Sequence, residues 1–546
     1  MMRRSNLALV VVVIAVCSAH IQLQPGHTSV AGWPRYLFVF RGAMSDFRLQ
    51  EVRAAAGTLG VDLEQLKFEP ATELHALAGS SSIGPDLSPH GPDLFHWVSL
   101  PTPALCAAVA ERCSLVRLAV DVWAEGTWPR DGGTHDVSVA LERADERWQN
   151  LADALQATDD PGLDATRAHL LGPLGDDTWR VDITSVGWRK PRSLKQKVAL
   201  MEKFDRLLWE LPGEVRLKDP AQVVALVEDC RGAEEGEMGE DEEEAEEGLD
   251  TRQVSAPTRL FVGLQLATGA ADHLHIFSLS TRPYLGRTTL PPALSLLMAN
   301  QARVVEGSIV LDPFCGTAST LLSCASRGAV TVGVEIDERV LHGGAGGRGI
   351  HDNFEAAGLE PPAKLLLGDI ASLDEDHMLP PTRGARFEKF DAIVTDPPYG
   401  LMEGLGELFV PLHERLLTLL RLAARRLRLG GRLVFLLPLP AGADAADALP
   451  PGLPTSRCLA IEATSRQRVS LKMDRLMVTM VKVNEPTSEE EGLLPNDHGA
   501  TRPTSAQRQG SQREADGSGG PADSTTRTAP WEEWWRDGGK NNKQRM

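Results

Sequence analysis

Apolar and polar positions along this chain follow two periods, and the change between them divides it. Residues 36–40 alternate aromatic and aliphatic side chains, the period of a strand. Residues 47–59 then place Phe47, Val52, Ala55, Ala56 and Leu59 at helical spacing. Residues 80–92 are rich in Ser, Gly and Pro and predict a loop. A strand over 96–100, a helix over 104–113, a strand over 179–186 and a helix over 193–208 follow, with Ser193 as cap of the last. Residues 1–225 therefore predict one or two small α+β regions. Strands are expected at 259–266 and 274–279. From 290 onward, helices (291–304, 317–327, 405–427) alternate with strands (308–311, 330–334, 364–367, 390–395, 432–437). Two more strands, 461–464 and 476–481, close the series. Such alternation implies a mostly parallel sheet covered on both faces.

At 546 residues the chain has room for two to four domains. Its net charge of -19 argues at first against a nucleic-acid partner. Eleven of those acids lie between Glu234 and Asp250, with no base among them, and setting them aside leaves -8. A block of like charge is a solvated segment, so any RNA contact must come from local basic patches or a partner. The seven cysteines, at 17, 106, 113, 230, 315, 324 and 458, form no Cys-x-x-Cys pair. They predict neither a metal site nor a disulfide framework, and they fit a reducing, cytoplasmic compartment. Arg3 and Arg4 ahead of the apolar run 7–17 have the outline of a targeting presequence, the alternative for residues 1–25. The run is too short to cross a bilayer comfortably, and no membrane association is expected. Beyond 484 the chain lacks the apolar content to fold alone, apart from Trp531, Trp534 and Trp535.

Four elements carry chemistry, each at the end of an expected strand. Asp312-Pro313-Phe314-Cys315-Gly316-Thr317 is a strand-to-helix turn. Ligands bind at such carboxyl ends; Gly316 lets the backbone approach one closely, and the helix N-terminus near Thr317 favours a carboxylate. One unit later, Glu335 stands at a strand tip, where an acid accepts from ribose hydroxyls, with Asp337 as runner-up. Asp369, after the strand 364–367, is placed to accept from an adenine amino group. Asp396-Pro397-Pro398-Tyr399 follows the strand 390–395 directly. Its prolines end the strand and aim the Pro397 carbonyl into the cleft. Asp396 and that carbonyl supply two acceptors, and Tyr399 a flat platform. An exocyclic base amine needs this set: its lone pair is delocalised into the ring, two acceptors favour a tetrahedral nitrogen, and the ring holds an unstacked base. A Gly turn or a strand-end acid is common alone; the order of all four is the specific signal.

At these residues the chain resembles class I S-adenosylmethionine-dependent methyltransferases of the Asn/Asp-Pro-Pro-aromatic type. It is more closely similar to the eukaryotic and archaeal tRNA guanosine-10 N2-methyltransferases. Arg282-Pro283-Tyr284-Leu285-Gly286-Arg287-Thr288-Thr289, the helix end Leu297-Met298-Ala299-Asn300-Gln301-Ala302, the 312–317 turn, Leu341-His342-Gly343, Asn353-Phe354 and Thr395-Asp396-Pro397-Pro398-Tyr399-Gly400 carry the resemblance. It runs over roughly 33–483 and is strongest over 280–400. It implies a Rossmann-like α/β domain, a seven-stranded, mostly parallel sheet with its last strand antiparallel. An α+β ferredoxin-like and THUMP region that grips tRNA would precede it. It also implies S-adenosylmethionine as cofactor and a small zinc-binding activator protein as partner in a heterodimer. By motif match Asp312, Phe314, Gly316 and Thr317 fall in the cofactor loop. Glu335 matches the ribose ligand and Asp369 the adenine ligand, and Asp396, Pro397 and Tyr399 match the target-amine site. Ala318 departs from the family's usual Gly; its methyl either crowds the methionine part of the cofactor or is tolerated with φ below zero.

The expected organisation is thus a targeting-like segment at 1–32, the tRNA-binding region at 33–232, an acidic linker at 233–256, the methyltransferase domain at 257–483 and a tail at 484–546. Arg189, Lys190, Arg192, Lys195 and Lys197 are candidate phosphate contacts, equally read as a solvated face. Arg425, Arg426, Arg428 and Arg432 are read as cations closing a helix. The expected reaction is methylation of a guanosine N2 amine in tRNA. The alternatives are another RNA guanosine, an adenine or cytosine amine of DNA (which the RNA-binding region disfavours), or a silent RNA-binding module.

Overall fold

The computed structural model describes residues 20–23, 32–42, 44–71, 94–128, 137–156, 175, 177–187, 192–230, 256–270, 278–286, 289–343, 347–370, 389–398, 412–441, 457–471 and 473–486. They fall into two compact units, divided at His273 and Leu274.

The first unit is built on one sheet. Its strands are β1 (His20–Leu23), β2 (Arg35–Phe40), β3 (Phe68–Pro70), β4 (Phe95–Ser99), β5 (Val116–Thr127), β6 (Trp179–Val186), β7 (Gln222–Asp229) and β8 (Arg259–Thr268). They lie in the order β3-β4-β2-β5-β8-β7-β6, with β1 against β5. Only β6 and β7 run parallel. The helices are α1 (Arg48–Thr58), α2 (Pro103–Arg112), α3 (Val137–Gln156), α4 (Leu194–Glu202) and α5 (Asp205–Glu210). Ser193 caps α4 as expected, in a reciprocal box with Gln196. The helix expected over 193–208 is broken, because Phe204 leaves helical geometry and turns into the core, edge-on to Trp148 at 5.7 Å.

The strand expected to open the catalytic domain belongs to this first sheet. β8 pairs with β7 from Asp229↔Arg259 to Val223↔Gln265, and with β5 on its other side. Leu260, Val262 and Leu264 enter the core with Trp123 and Trp148. Arg259 is ion-paired with Asp229 and lies over Phe95 at 4.7 Å. The acidic segment therefore joins two neighbouring antiparallel strands of one unit, and the boundary expected at 257 moves to about 274. The strand expected over 274–279 is not formed at 278–279, and 274–277 lie outside the described residues.

The second unit carries the α/β alternation. Its strands are β9 (Ile309–Asp312), β10 (Val330–Glu335), β11 (Lys364–Leu367), β12 (Phe390–Thr395), β13 (Leu427–Pro440), β14 (Leu459–Arg468) and β15 (Met473–Lys482). Its helices are α6 (Pro292–Gln301), α7 (Ser319–Ala325), α8 (Glu338–His342), α9 (Ile350–Ala356) and α10 (Leu412–Arg426). The sheet order is β11-β10-β9-β12-β13-β15-β14. β15 is antiparallel to both neighbours and every other pair is parallel. This is the expected seven-stranded, Rossmann-like sheet. Its short strands are almost wholly apolar because both faces are covered. Leu311, Val332, Ile393 and Phe435 pack with Leu416, Leu419 and Ala423 of α10. A second cluster joins Cys315, Leu321, Leu322, Leu341 and Phe354. Each fully buried side chain of this size contributes roughly 1.5–3 kcal/mol.

Two basic residues read as closing the long helix do not. That helix ends at Arg426, and Arg428 and Arg432 lie in β13. They pair with Asp391 at 2.6 Å and with Glu462 at 2.6 Å. Residues 405–411, 1–19 and 487–546, with the three tryptophans of the tail, lie outside the described residues. Among the described residues, no helix is long and apolar enough to cross a membrane.

Candidate active site

The order of the second sheet reverses between β9 and β12. From β9 the chain moves outward through β10 and β11; from β12 it moves the other way through β13. The carboxyl ends of two such parallel neighbours splay apart and leave a crevice. Asp312 ends β9 and Thr395 ends β12, so the two motifs farthest apart in the sequence become neighbours across this crevice.

A buried carboxylate joins them. Asp312 is 1% exposed. Its Oδ1 accepts the Thr395 hydroxyl at 2.6 Å and the Phe314 amide at 3.0 Å, and its Oδ2 accepts the Thr320 hydroxyl of α7. Burial raises its pKa to about 6, against these three hydrogen bonds and with a further push from the charge of Asp396. Asp312 is therefore not presented to a ligand as a loop residue would be. It ties the β9 tip, the β12 tip and α7 together, and a buried carboxylate with two oxygens to satisfy can do this only from inside.

Beyond Asp312 the loop stays largely buried and is partly exposed at Phe314 and Gly316. Phe314 is half-buried against the main core, and Thr317 is 8% exposed. Gly316 adopts φ +50, with nothing within 4 Å of where a Cβ would stand, so the space above it is open. Ala318 is left-handed as well, at φ 65, ψ 34. The condition of φ below zero is thus not met, and an L residue bears about 1–2 kcal/mol of strain there. Its methyl does not crowd the cleft, however, since it is buried with Leu321, Leu341 and Phe354.

Glu335 reaches the same loop from the tip of β10. Its Oε2 accepts the Gly316 amide at 2.9 Å and its Oε1 the Asp337 amide at 2.9 Å. A carboxylate has about four acceptor sites, so this one is oriented with capacity to spare for two hydroxyls. Asp337, the runner-up, is used otherwise: it caps α8 and pairs with Arg339 at 3.0 Å, which holds its pKa down. Ile336 between them is 55% exposed, an apolar surface beside the acid that the sequence reading did not single out. Asp369 is exposed just past β11, after Gly368, whose amide donates to the Glu335 carbonyl at 2.9 Å. The tips of β9, β10 and β11 thus form a row two strand spacings wide, about 10 Å. An open glycine turn, an oriented carboxylate, an apolar side chain and a second carboxylate suit a nucleoside with an amino-acid tail, so these residues fit S-adenosylmethionine.

At the tip of β12, Asp396 is partly exposed, Pro397 buried and Pro398 partly exposed. Arg415 of α10 donates to the Pro398 carbonyl at 2.8 Å, a tie the sequence did not reveal, since one arginine in an amphipathic helix carries no signal. Tyr399 lies outside the described residues.

Of the candidate phosphate contacts, Arg192 is corrected. It is 6% exposed and forks onto Glu228 through Nε at 2.9 Å and Nη2 at 2.9 Å. Glu228 also accepts from Trp148 Nε1 at 3.0 Å and Ser185 Oγ at 2.5 Å. A planar guanidinium satisfied this way is a core strut. Lys195 is exposed on α4, and Arg189 and Lys190 lie outside the described residues.

Residues 280–440 match a family described as RMKL-like, methyltransferase domain. A tRNA (guanine(10)-N(2))-methyltransferase TRMT11 of Rattus norvegicus is 30% identical over 358 residues, 59% of this chain and 70% of that protein. The chain belongs to the tRNA (guanine(10)-N(2))-methyltransferase family. The Dictyostelium discoideum member is 27% identical over 484 residues, 83% of each chain. Among solved structures, TrmN from Thermus thermophilus superposes with a TM-score of 0.36 at 18% identity, over 82% of this chain and 100% of that one. The match to the methyltransferase family spans the 312–317 loop, Glu335, Asp369 and the Asp396 motif, the residues that the fold gathers at the carboxyl ends of β9 to β12.

Proposed function

We propose that this chain, like the relatives whose names state it, methylates the N2 amine of guanosine 10 in tRNA. The carrying observation is the pairing of β9 with β12, locked by the Thr395–Asp312 hydrogen bond, which sets the cofactor loop beside Asp396. S-adenosylmethionine supplies a methyl on a sulfonium: the C–S pair returns to sulfur as N2 gains the methyl and loses a proton. Glu335 holds the ribose hydroxyls, Ile336 flanks the adenine and Asp369 accepts from its amino group. Asp396 and the Pro397 carbonyl accept from the target amine, turning its lone pair toward the methyl. Asp396 then takes the proton, and Tyr399 stacks on the unstacked guanine. Most of the acceleration comes from positioning. Ala318 does not favour a silent module, since its methyl faces the core.

The finer readings rest on the family. The first unit serves as the ferredoxin-like and THUMP tRNA grip, with Lys195 among its phosphate contacts, a small zinc-binding protein activates the enzyme, and the compartment is the cytoplasm. The test is methyl transfer from labelled S-adenosylmethionine to unmodified tRNA with the activator present, followed by digestion. Label in N2-methylguanosine at position 10, absent with Asp396→Ala although that variant still binds cofactor, supports the reading. Label in another nucleoside removes the substrate and keeps the enzyme class, and no transfer by a cofactor-binding chain removes the reading altogether.

A further inference from the structure

Two sequence motifs, the stretch 282–289 and Asn353-Phe354, have no part in the chemistry above. They meet beside the cofactor loop. The Tyr284 amide donates to Asn353 Oδ1 at 2.9 Å, and Asn353 Nδ2 donates back to the Tyr284 carbonyl at 2.9 Å. The Tyr284 hydroxyl donates to the Val340 carbonyl at 2.9 Å. One end of the stretch is thereby anchored on α8 and α9.

From this anchor it touches the loop at two points. Arg282, 8% exposed, donates through Nη1 to Ser319 Oγ at 2.7 Å. Thr289 Oγ1 lies 3.4 Å from Thr317 Oγ1 and accepts the Gly286 amide at 2.9 Å. Gly286 fits so closely that a Cβ there would stand 2.9 Å from Thr317 Cγ2, its next nearest neighbour being 3.8 Å away. The residues gripped, Thr317 and Ser319, are the two chain neighbours of Ala318, the strained left-handed residue. A non-glycine residue keeps such a conformation only where its surroundings over-determine it.

We propose that residues 282–286, together with Thr289, act as a strap, with Arg282 and Thr289 as positioning residues, that grips the loop on both sides of Ala318 and holds it in the shape that receives the methyl donor. Glycine at 318 would take this shape without help, so the strap does for this chain what a glycine would do. The proposal rests on the loop being the donor site, as stated above.

The test is calorimetric binding of S-adenosylhomocysteine to the full chain in two backgrounds. With Ala318 present, Ser319→Ala and Thr289→Val each weaken binding about tenfold, while Thr289→Ser, which keeps the hydroxyl, stays near the parent. With Ala318→Gly, the same changes cost less than about twofold. Equal losses in both backgrounds overturn the strap. Gly286→Ala supplies a second measurement independent of those hydrogen bonds. It weakens binding, and adding Thr317→Ser, which removes the colliding Cγ2, restores it; failure to restore overturns the Gly286 contact. A folded parent that binds no S-adenosylhomocysteine would instead remove the donor-site reading, and the strap with it.

Discussion

Replacing Asp312 by Asn should make the catalytic unit more stable at neutral and alkaline pH. The carboxyl is buried and its pKa is raised from 3.8 to about 6. A folded-state value above the unfolded one means stability that is fully present below pH 3.8 and is lost as pH rises through about 6. Keeping the group ionised at pH 8 therefore costs the fold about 3 kcal/mol relative to an ordinary acid. Asn preserves the contacts. Its Oδ1 still accepts from Thr395 and Phe314, and its amide donates to Thr320 Oγ1 where Oδ2 accepted before. The variant has no proton to lose, so its advantage grows with pH. Linkage gives the parent about 1.4 kcal/mol at pH 5 from the residual proton and almost nothing at pH 8. The melting difference between variant and parent should accordingly widen by roughly 3–6 °C from pH 5 to pH 8. Scanning calorimetry of both chains at matched ionic strength measures it. A difference that does not change with pH would refute the buried, raised carboxyl, and a narrowing one would reverse its sign.

Other consequences are read from single contacts. Arg192→Ala leaves Glu228 charged and buried and should cost the first unit about 3–5 kcal/mol in denaturant unfolding. Lys195→Ala, on an exposed side chain, should stay within about 0.5 kcal/mol; similar small losses at both would place Arg192 at the surface. Glu335→Gln keeps the shape but leaves one of the two backbone amides facing an amide N–H. It should weaken S-adenosylmethionine binding by roughly 10- to 100-fold in calorimetry, and unchanged affinity would separate Glu335 from the cofactor. Arg415→Ala frees the Pro398 carbonyl and should lower kcat about tenfold with S-adenosylhomocysteine affinity within about twofold. An unaltered kcat would mean the tie does not order the Asp396 loop.

Motifs placed at strand ends were legible because a strand tip is visible in sequence as the end of an apolar run, and its following residues are committed to the crevice. Glu335 and Asp369 were found in this way, and the structure puts both in one row with the loop. Asp312 was legible in place but not in orientation. The same carboxylate at the same tip can face a ligand or the core, and the hydroxyls of Thr320 and Thr395, eight and eighty-three residues away, settle it inward. Arg192 was misread for the same reason. A cation beside other cations looks like a solvated face, and only the fold brings Glu228 to it across thirty-six residues.

By itself, the sequence determined the seven strands of the second unit, their parallel α/β character and which residues stand at the strand ends. These follow from local terms: side-chain periodicity, prolines that end a strand, and acids at its tip. Tertiary structure decided which unit β8 completes, since a strand's hydrogen bonds go to whichever neighbour lies in register, and adjacency in sequence across the acidic segment does not choose it. It also decided how Ala318 keeps a backbone conformation that its own methyl disfavours, because the contacts that hold it come from Arg282 and Thr289, which are distant in the chain and close only after folding.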